Sequence, residues 1–175
     1  MIQNKNLPIL HWLRAITAAV MLTVSAHAAV AAEQPFLNLD GEPVAMADFF
    51  PADQWLVVMI WSHTCVICAR EIKGHSEMHE RHKDGRIAVL GISLDGEAGL
   101  SEAWGFLEER GVAFPNLVGE PHVVAEFFKD RTGRRLQGTP TFMVFAPGGT
   151  LTALQVGPVP PEAIEKFIRQ QDDKA

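Results

Sequence analysis

Cys65 and Cys68, two residues apart in WSHTCVICAREI (Trp61–Ile72), are the only cysteines in the chain. Two thiols at that spacing can be a redox couple, half of a metal site, or small core residues. A structural staple is the poorest fit, because a disulfide gains most by closing a long loop and this one would close only a few residues. The pair therefore points to chemistry. Other reactive side chains stand close by. His63 precedes Cys65 by two residues, where it is either a plain loop residue or, when protonated, a charge that favours a thiolate. Glu71 follows Cys68 by three, which puts both on one helix face and lets a carboxylate take the second thiol's proton. Gly138-Thr139-Pro140-Thr141 stands directly before an apolar run, where a cis X-Pro bond can turn the backbone against the site. His75, His79 and His82 recur at i, i+4 and i+7, one face of a helix at about 100° per residue. Three imidazoles so placed could hold copper or zinc. The favoured reading of KGHSEMHERHKDG is nonetheless a solvated helix surface, with Met78 nearer the core.

The use of a thiol pair depends on compartment. Lys5 and Arg14 precede AITAAVMLTVSAHAAVAA (Ala15–Ala32), a run without charge. A basic start, an apolar middle and a small-residue exit read as a secretory signal over residues 1–31, with A-x-A sites at Ala26-His27-Ala28 and Ala29-Val30-Ala31. The alternative is an uncleaved membrane anchor, although the run is short and alanine-rich for a span. Either way residues 32–175 are expected across the membrane, in the periplasm, free or tethered by the N-terminal segment, with the basic flank left behind. That remainder has the size of one domain. The net charge of −6, with no basic stripe, argues against a nucleic-acid partner.

The elements that must position the thiols follow from periodicity. FLNLDGEPVAM (Phe36–Met46) alternates around Asp40-Gly41 and predicts a hairpin. WLVVMIW (Trp55–Trp61) is an unbroken apolar run, the pattern of a strand buried on both faces. A helix is predicted from Val66 to about His82, stopped by Asp84-Gly85, and IAVLGISL (Ile87–Leu94) is a second buried strand. Strand, helix, strand is a crossover unit with parallel strands. Leu100, Ala103, Trp104 and Leu107 repeat at helical spacing up to Gly111. A Pro-containing loop and a short helix over Val123–Phe128 come next, then TFMVF (Thr141–Phe145), which turns at Pro147-Gly148-Gly149 into Leu151–Val156. Pro160-Pro161 opens a last helix with Ile164, Phe167 and Ile168 on one face. The order predicts an α/β domain, a central mixed sheet flanked by helices. Cys65 then lies just past the end of a buried strand and Cys68 in the first turn of the next helix. Chemistry in open α/β sheets gathers there, and the helix N-terminus stabilises a thiolate on Cys65.

Strand, W-x-x-x-C-x-x-C, helix and a late T-P-T-F before a hairpin resemble the thioredoxin superfamily. More narrowly they resemble the exported TlpA/ResA/CcmG-like thiol-disulfide oxidoreductases. FLNLDGEPVAMADFF is similar to their N-terminal hairpin extension, IAVLGISLDGE to their second central strand and turn, and FMVFAPGGTLTALQVG to their closing hairpin. The resemblance implies a thioredoxin-like fold, Cys65 as nucleophile, Cys68 as resolving thiol and Pro140 as a cis-proline facing them. Glu71 matches the acid near the site in those proteins. Thr139 and Pro140, with Trp61 and His63, would meet the substrate. No cofactor is implied beyond the Cys65–Cys68 disulfide, and no metal. Partners would be exported protein thiols or disulfides, of the cytochrome c maturation or copper-site assembly type, and a membrane electron donor, with the chain acting as a monomer.

Several positions depart from the pattern. Thr64 replaces the usual tryptophan before the first cysteine, Val66-Ile67 lacks the common proline, and Met59 stands where thioredoxins bury an acid. A copper-binding metallochaperone and a disulfide isomerase are the alternatives. A peroxidase of the peroxiredoxin type shares the fold, but its Pro/Thr-containing nucleophile motif has no match around Cys65.

Overall fold

A computed structural model describes residues 36–82 and 85–174. The expected export signal, residues 1–31, lies outside the described residues. Among the described residues, eleven regular elements follow in chain order. They are β1 (Phe36–Leu37), β2 (Pro43–Val44), β3 (Trp55–Trp61), α1 (Val66–His82), β4 (Ile87–Ser93), α2 (Leu100–Glu109), β5 (Asn116–Val118), α3 (Pro121–Thr132), β6 (Thr141–Phe145), β7 (Leu151–Val156) and α4 (Pro161–Asp172). Short 3-10 turns lie at Met46–Phe49 and Glu97–Gly99.

The strands form one mixed sheet in the order β2-β1-β5-β4-β3-β6-β7. The apolar run of β3 is explained by its place near the middle, parallel to β4 from Trp55↔Ile87 to Trp61↔Ser93 and antiparallel to β6 from Leu56↔Phe145 to Ile60↔Thr141. Successive side chains of a strand point to opposite faces, so β3 feeds two cores. Val57, Met59 and Trp61 pack with Cys68, Ile72 and Met78 of α1, Phe106 of α2 and Ile164 and Ile168 of α4. Leu56, Val58 and Ile60 pack on the other face with Val124 and Phe128 of α3. Burying a side chain such as Ile or Phe contributes about 2 kcal/mol each, so this strand is the firmest place to mount a reactive loop.

The hairpin is present, with Phe36 opposite Val44, and the Asn38 side chain accepts the backbone N–H groups of Asp40 and Glu42 across its turn. The sequence expectation differs from the structure at Asn116–Val118. The stretch read as loop is β5, parallel to β4 and antiparallel to β1. Three residues between Pro115 and Gly119 are too few to show a period, and pairing rather than propensity makes them a strand. The third helix also extends beyond Val123–Phe128 at both ends. Pro121 occupies its first turn, where a missing N–H costs nothing.

Candidate active site

The β3–α1 junction places Cys65 at the N-cap of α1. Its N–H donates to the Ser62 carbonyl at 3.0 Å and its own carbonyl accepts from Ala69 N–H at 3.1 Å, the first turn of the helix. Its sulfur stands where a Ser or Asp oxygen normally caps a helix, accepting the Cys68 N–H at 3.1 Å. No acidic side chain occupies the first turn of α1, so nothing there offsets the positive end of the helix dipole. A helix N–H aimed at sulfur and the positive end of the dipole both favour thiolate over thiol. Cys65 is half-buried, Cys68 is fully buried, and a disulfide joins them. Val66 and Ile67, between the two sulfurs, are 65% and 43% exposed. Any partner reaching Cys65 meets this apolar step.

The Thr139–Pro140 peptide is cis. Thr141 pairs with Ile60, so Pro140 falls opposite Trp61, at the end of β3 from which the chain runs into Cys65. Pro140 is buried and Thr139 partly so. The Pro140 carbonyl accepts Gly157 N–H at 2.9 Å, and Thr141 Oγ1 donates to the Gly138 carbonyl at 2.7 Å, which fixes the loop on both sides. Glu71 is partly buried, and its Oε2 accepts Val159 N–H at 3.1 Å. That bond ties α1 to the GPVP segment before α4, so Glu71 has a strapping duty that its helix position did not suggest.

Two expectations need correction. Trp61 does not offer a surface to a substrate. It is fully buried, stacked on Phe106 with ring centroids 4.8 Å apart, and its Nε1–H donates to Asn116 Oδ1 at 3.0 Å. A side chain at Gly91 would stand in that oxygen's place, since a Cβ there would lie 1.7 Å from Asn116 Oδ1. Nor is the histidine face of α1 solvated, although Lys73, Glu77, Glu80 and Arg81 are exposed and Met78 lies in the core as expected. His75 is 0% exposed and its ring lies tilted against that of Phe142 with centroids 4.5 Å apart, with Ser76 and Met78 buried beside it. Burial pushes its pKa down from 6.5 to about 4, although the Val159 backbone and Glu162 favour the charged form. Neither ring nitrogen has a well-formed hydrogen bond. His79 Nδ1 accepts Val89 N–H at 3.4 Å, and His82 Nε2 lies 3.0 Å from Glu165 Oε1. The three imidazoles share a helix face but serve three different neighbours. Among the described residues no group of three His, Cys, Asp or Glu side chains could hold a metal ion.

One residue near the site escaped sequence reasoning. Asp95, just past β4, accepts Ser62 Oγ–H at 2.6 Å, His63 N–H at 2.9 Å and Ser93 Oγ–H at 2.5 Å. His63 Nδ1 lies 3.0 Å from its Oδ1, an ion-pair approach too bent to count as a hydrogen bond. Burial raises the Asp95 pKa, but the Ser62 and Ser93 hydroxyls, the His63 N–H and the His63 charge outweigh it and hold the carboxyl below its usual range. The only sequence signal was an Asp-Gly after a strand, which reads as an ordinary turn. His63 itself is one-third exposed and open to a partner.

Residues 25–154 match the family model described as the AhpC/TSA family. No curated protein matches the chain. Solved structures do. A thioredoxin-related protein from Neisseria meningitidis serogroup B is 20% identical with a TM-score of 0.65, over 79% of this chain and 98% of that one. A thiol:disulfide interchange protein of the thioredoxin family from Chlorobium tepidum TLS is 18% identical with a TM-score of 0.64, over 78% and 92%. A secreted Mycobacterium tuberculosis disulfide oxidoreductase, homologous to DsbE of E. coli, is 18% identical with a TM-score of 0.62, over 79% and 96%. Their likeness shows that the fold is thioredoxin-like.

Proposed function

The chain belongs to the AhpC/TSA family, and from that premise we propose that it is an exported thiol-disulfide oxidoreductase reducing disulfides in periplasmic proteins. One observation carries the reading. Cys65 caps α1 with its sulfur, takes the Cys68 N–H, and is already paired with the buried Cys68. The secreted oxidoreductase and the interchange protein above, similar in fold, support it.

In the reduced protein the Cys65 thiolate attacks one sulfur of a partner disulfide. A Cys65–partner disulfide forms and the other partner sulfur leaves as thiolate. Cys68 then gives up its proton and attacks Cys65 Sγ, which frees the second partner sulfur. The partner gains two electrons and leaves as two thiolates, which take their protons from solvent, and Cys65–Cys68 is left oxidised. Glu71, on the same helix as Cys68, receives the Cys68 proton. Thr139 and Pro140 offer the backbone against which the mixed disulfide lies, and His63 faces the same partner. A membrane dithiol donor restores the thiols. A c-type apocytochrome or a copper-site protein fits as the client, and the chain acts as a monomer in the periplasm, released from its signal or tethered by it.

The test compares insulin-disulfide reduction, peroxide turnover and metal content in the mature domain. Reduction without stoichiometric metal is expected. Tight metal without exchange, or peroxide turnover without exchange, would overturn the assignment. Replacing Cys68 with Ala should trap recurring clients on Cys65.

A further inference from the structure

We propose that Asp95 is a positioning residue that clamps the Ser62–His63 turn and thereby holds Cys65 at the helix cap; the inference rests on the redox reading above. The redox loop leaves β3 and must reverse within Ser62-His63-Thr64 before α1 begins. The turn depends on Cys65 N–H reaching the Ser62 carbonyl. A loop this short, with Thr64 exposed, has little packing of its own. Asp95 supplies what is missing from the neighbouring strand. Its carboxylate takes the Ser62 hydroxyl on one oxygen and the His63 N–H on the other, and Ser93 fixes the carboxylate from behind. Ser93 Oγ in turn accepts the Asp95 N–H at 3.0 Å. The Asp95 side chain is 6% exposed, so these bonds form away from competing water. The fold makes room for it, because a Cβ on Gly99 would lie 2.8 Å from Asp95 Cβ. Gly99 has φ −101 and ψ 14, a conformation any residue can adopt. Its lack of a side chain is therefore explained by the space Asp95 needs and not by backbone freedom.

A carboxylate near a thiolate also repels it, so charge and clamp act on Cys65 with opposite signs and different variants separate them. Asn at position 95 can keep the partners: its oxygen accepts from His63 and Ser93, and its amide donates to a turned Ser62 hydroxyl. Ala removes charge and clamp together. Gly99→Ala keeps every partner and the charge but pushes Asp95 aside. The measurement is the iodoacetamide alkylation rate of Cys65 in the reduced Cys68→Ala protein, at a pH about two units below the ordinary thiol value of 8.5. Asp95→Asn is expected within about threefold of the parent, whereas Asp95→Ala and Gly99→Ala should react roughly fivefold or more slowly, since rate follows thiolate fraction. If circular dichroism shows Asp95→Ala unfolded, Gly99→Ala decides alone. All variants matching the parent would overturn the clamp. So would Asp95→Asn and Asp95→Ala both reacting faster than the parent, which would leave the repulsion of the charge as the only effect of Asp95 on Cys65. Insulin reduction by the wild-type protein, run alongside, keeps the two ideas apart. Its absence would sink the oxidoreductase reading while leaving the alkylation result to stand or fall by itself.

Discussion

The two ends of α1 solve opposite problems with the same kinds of residue. At the N-terminal end a carboxylate, Asp95, and an imidazole, His63, hold an open turn so that a half-buried sulfur can react. At the C-terminal end another carboxylate, Glu165, takes Arg81 at 2.9 Å and His82 at 3.0 Å, and locks α1 to α4. Burial raises the Glu165 pKa, but its bonds to Arg81 and His82 prevail and hold it below the usual range, as the corresponding bonds do for Asp95. Between the two ends His75 is sealed in the core. The difference shows that a His or an acid on this helix carries no function by type alone. Position relative to the helix cap decides whether it meets a partner or packs a core.

Breaking the N-terminal end should have the largest effect. Cys65→Ser should abolish insulin reduction, whereas Cys68→Ala should accumulate covalent mixed disulfides visible on non-reducing gels. Mixed disulfides on Cys65→Ser, or none on Cys68→Ala, would contradict their separate roles. The next effect belongs to the sealed middle and is one of stability. The folded-state pKa of His75 lies at about 4, below its unfolded value of 6.5. The unfolded chain therefore binds more protons in that window, and stability present above pH 6.5 is lost as pH falls toward 4. The loss is about 3 kcal/mol for this group. In urea unfolding, His75→Leu should flatten that pH dependence and leave exchange at neutral pH unchanged. A Leu variant with the same acid slope would move the cause elsewhere.

Glu71 lies between the two regimes and sharpens the boundary. Gln at 71 keeps an acceptor for Val159 N–H but cannot take a proton. Resolution of a mixed disulfide should slow on the order of tenfold or more in Glu71→Gln, with thermal stability kept. Loss of stability without loss of rate would make Glu71 a strap only. The smallest effect is expected at the far end, where Glu165→Gln should cost about 1 kcal/mol or less, being a partly exposed pair. Its alkylation and exchange rates should match the wild type.

Much of this contrast was legible in sequence, and the remainder failed for identifiable reasons. The unbroken WLVVMIW run announced a central strand because both of its faces are buried, and C-x-x-C directly after it located the reactive end. The Thr139-Pro140 turn was placed by its position before β6. β5 stayed hidden because Asn116-Leu117-Val118 is held by pairing partners that no local pattern reveals. The histidine face was misread because helical spacing tells which residues share a face and not what covers it. Here Phe142, Phe114 and α4 do. Trp61 was given a partner-facing place although its N–H is spent inside the core on Asn116, a bond that depends on the missing side chain of Gly91. Asp95 could not be singled out because two of its donors, Ser62 and His63, come from about thirty positions away, across two parallel strands.

The most direct measurement is the ultraviolet absorbance of thiolate in the reduced mature protein, followed as pH is lowered. A step well below the free-cysteine value of about 8.5, kept in Cys68→Ala and lost in Cys65→Ser, is the expected result. A step no lower than free cysteine, or one that disappears with Cys68 instead, would contradict a sulfur held ionised at the start of α1.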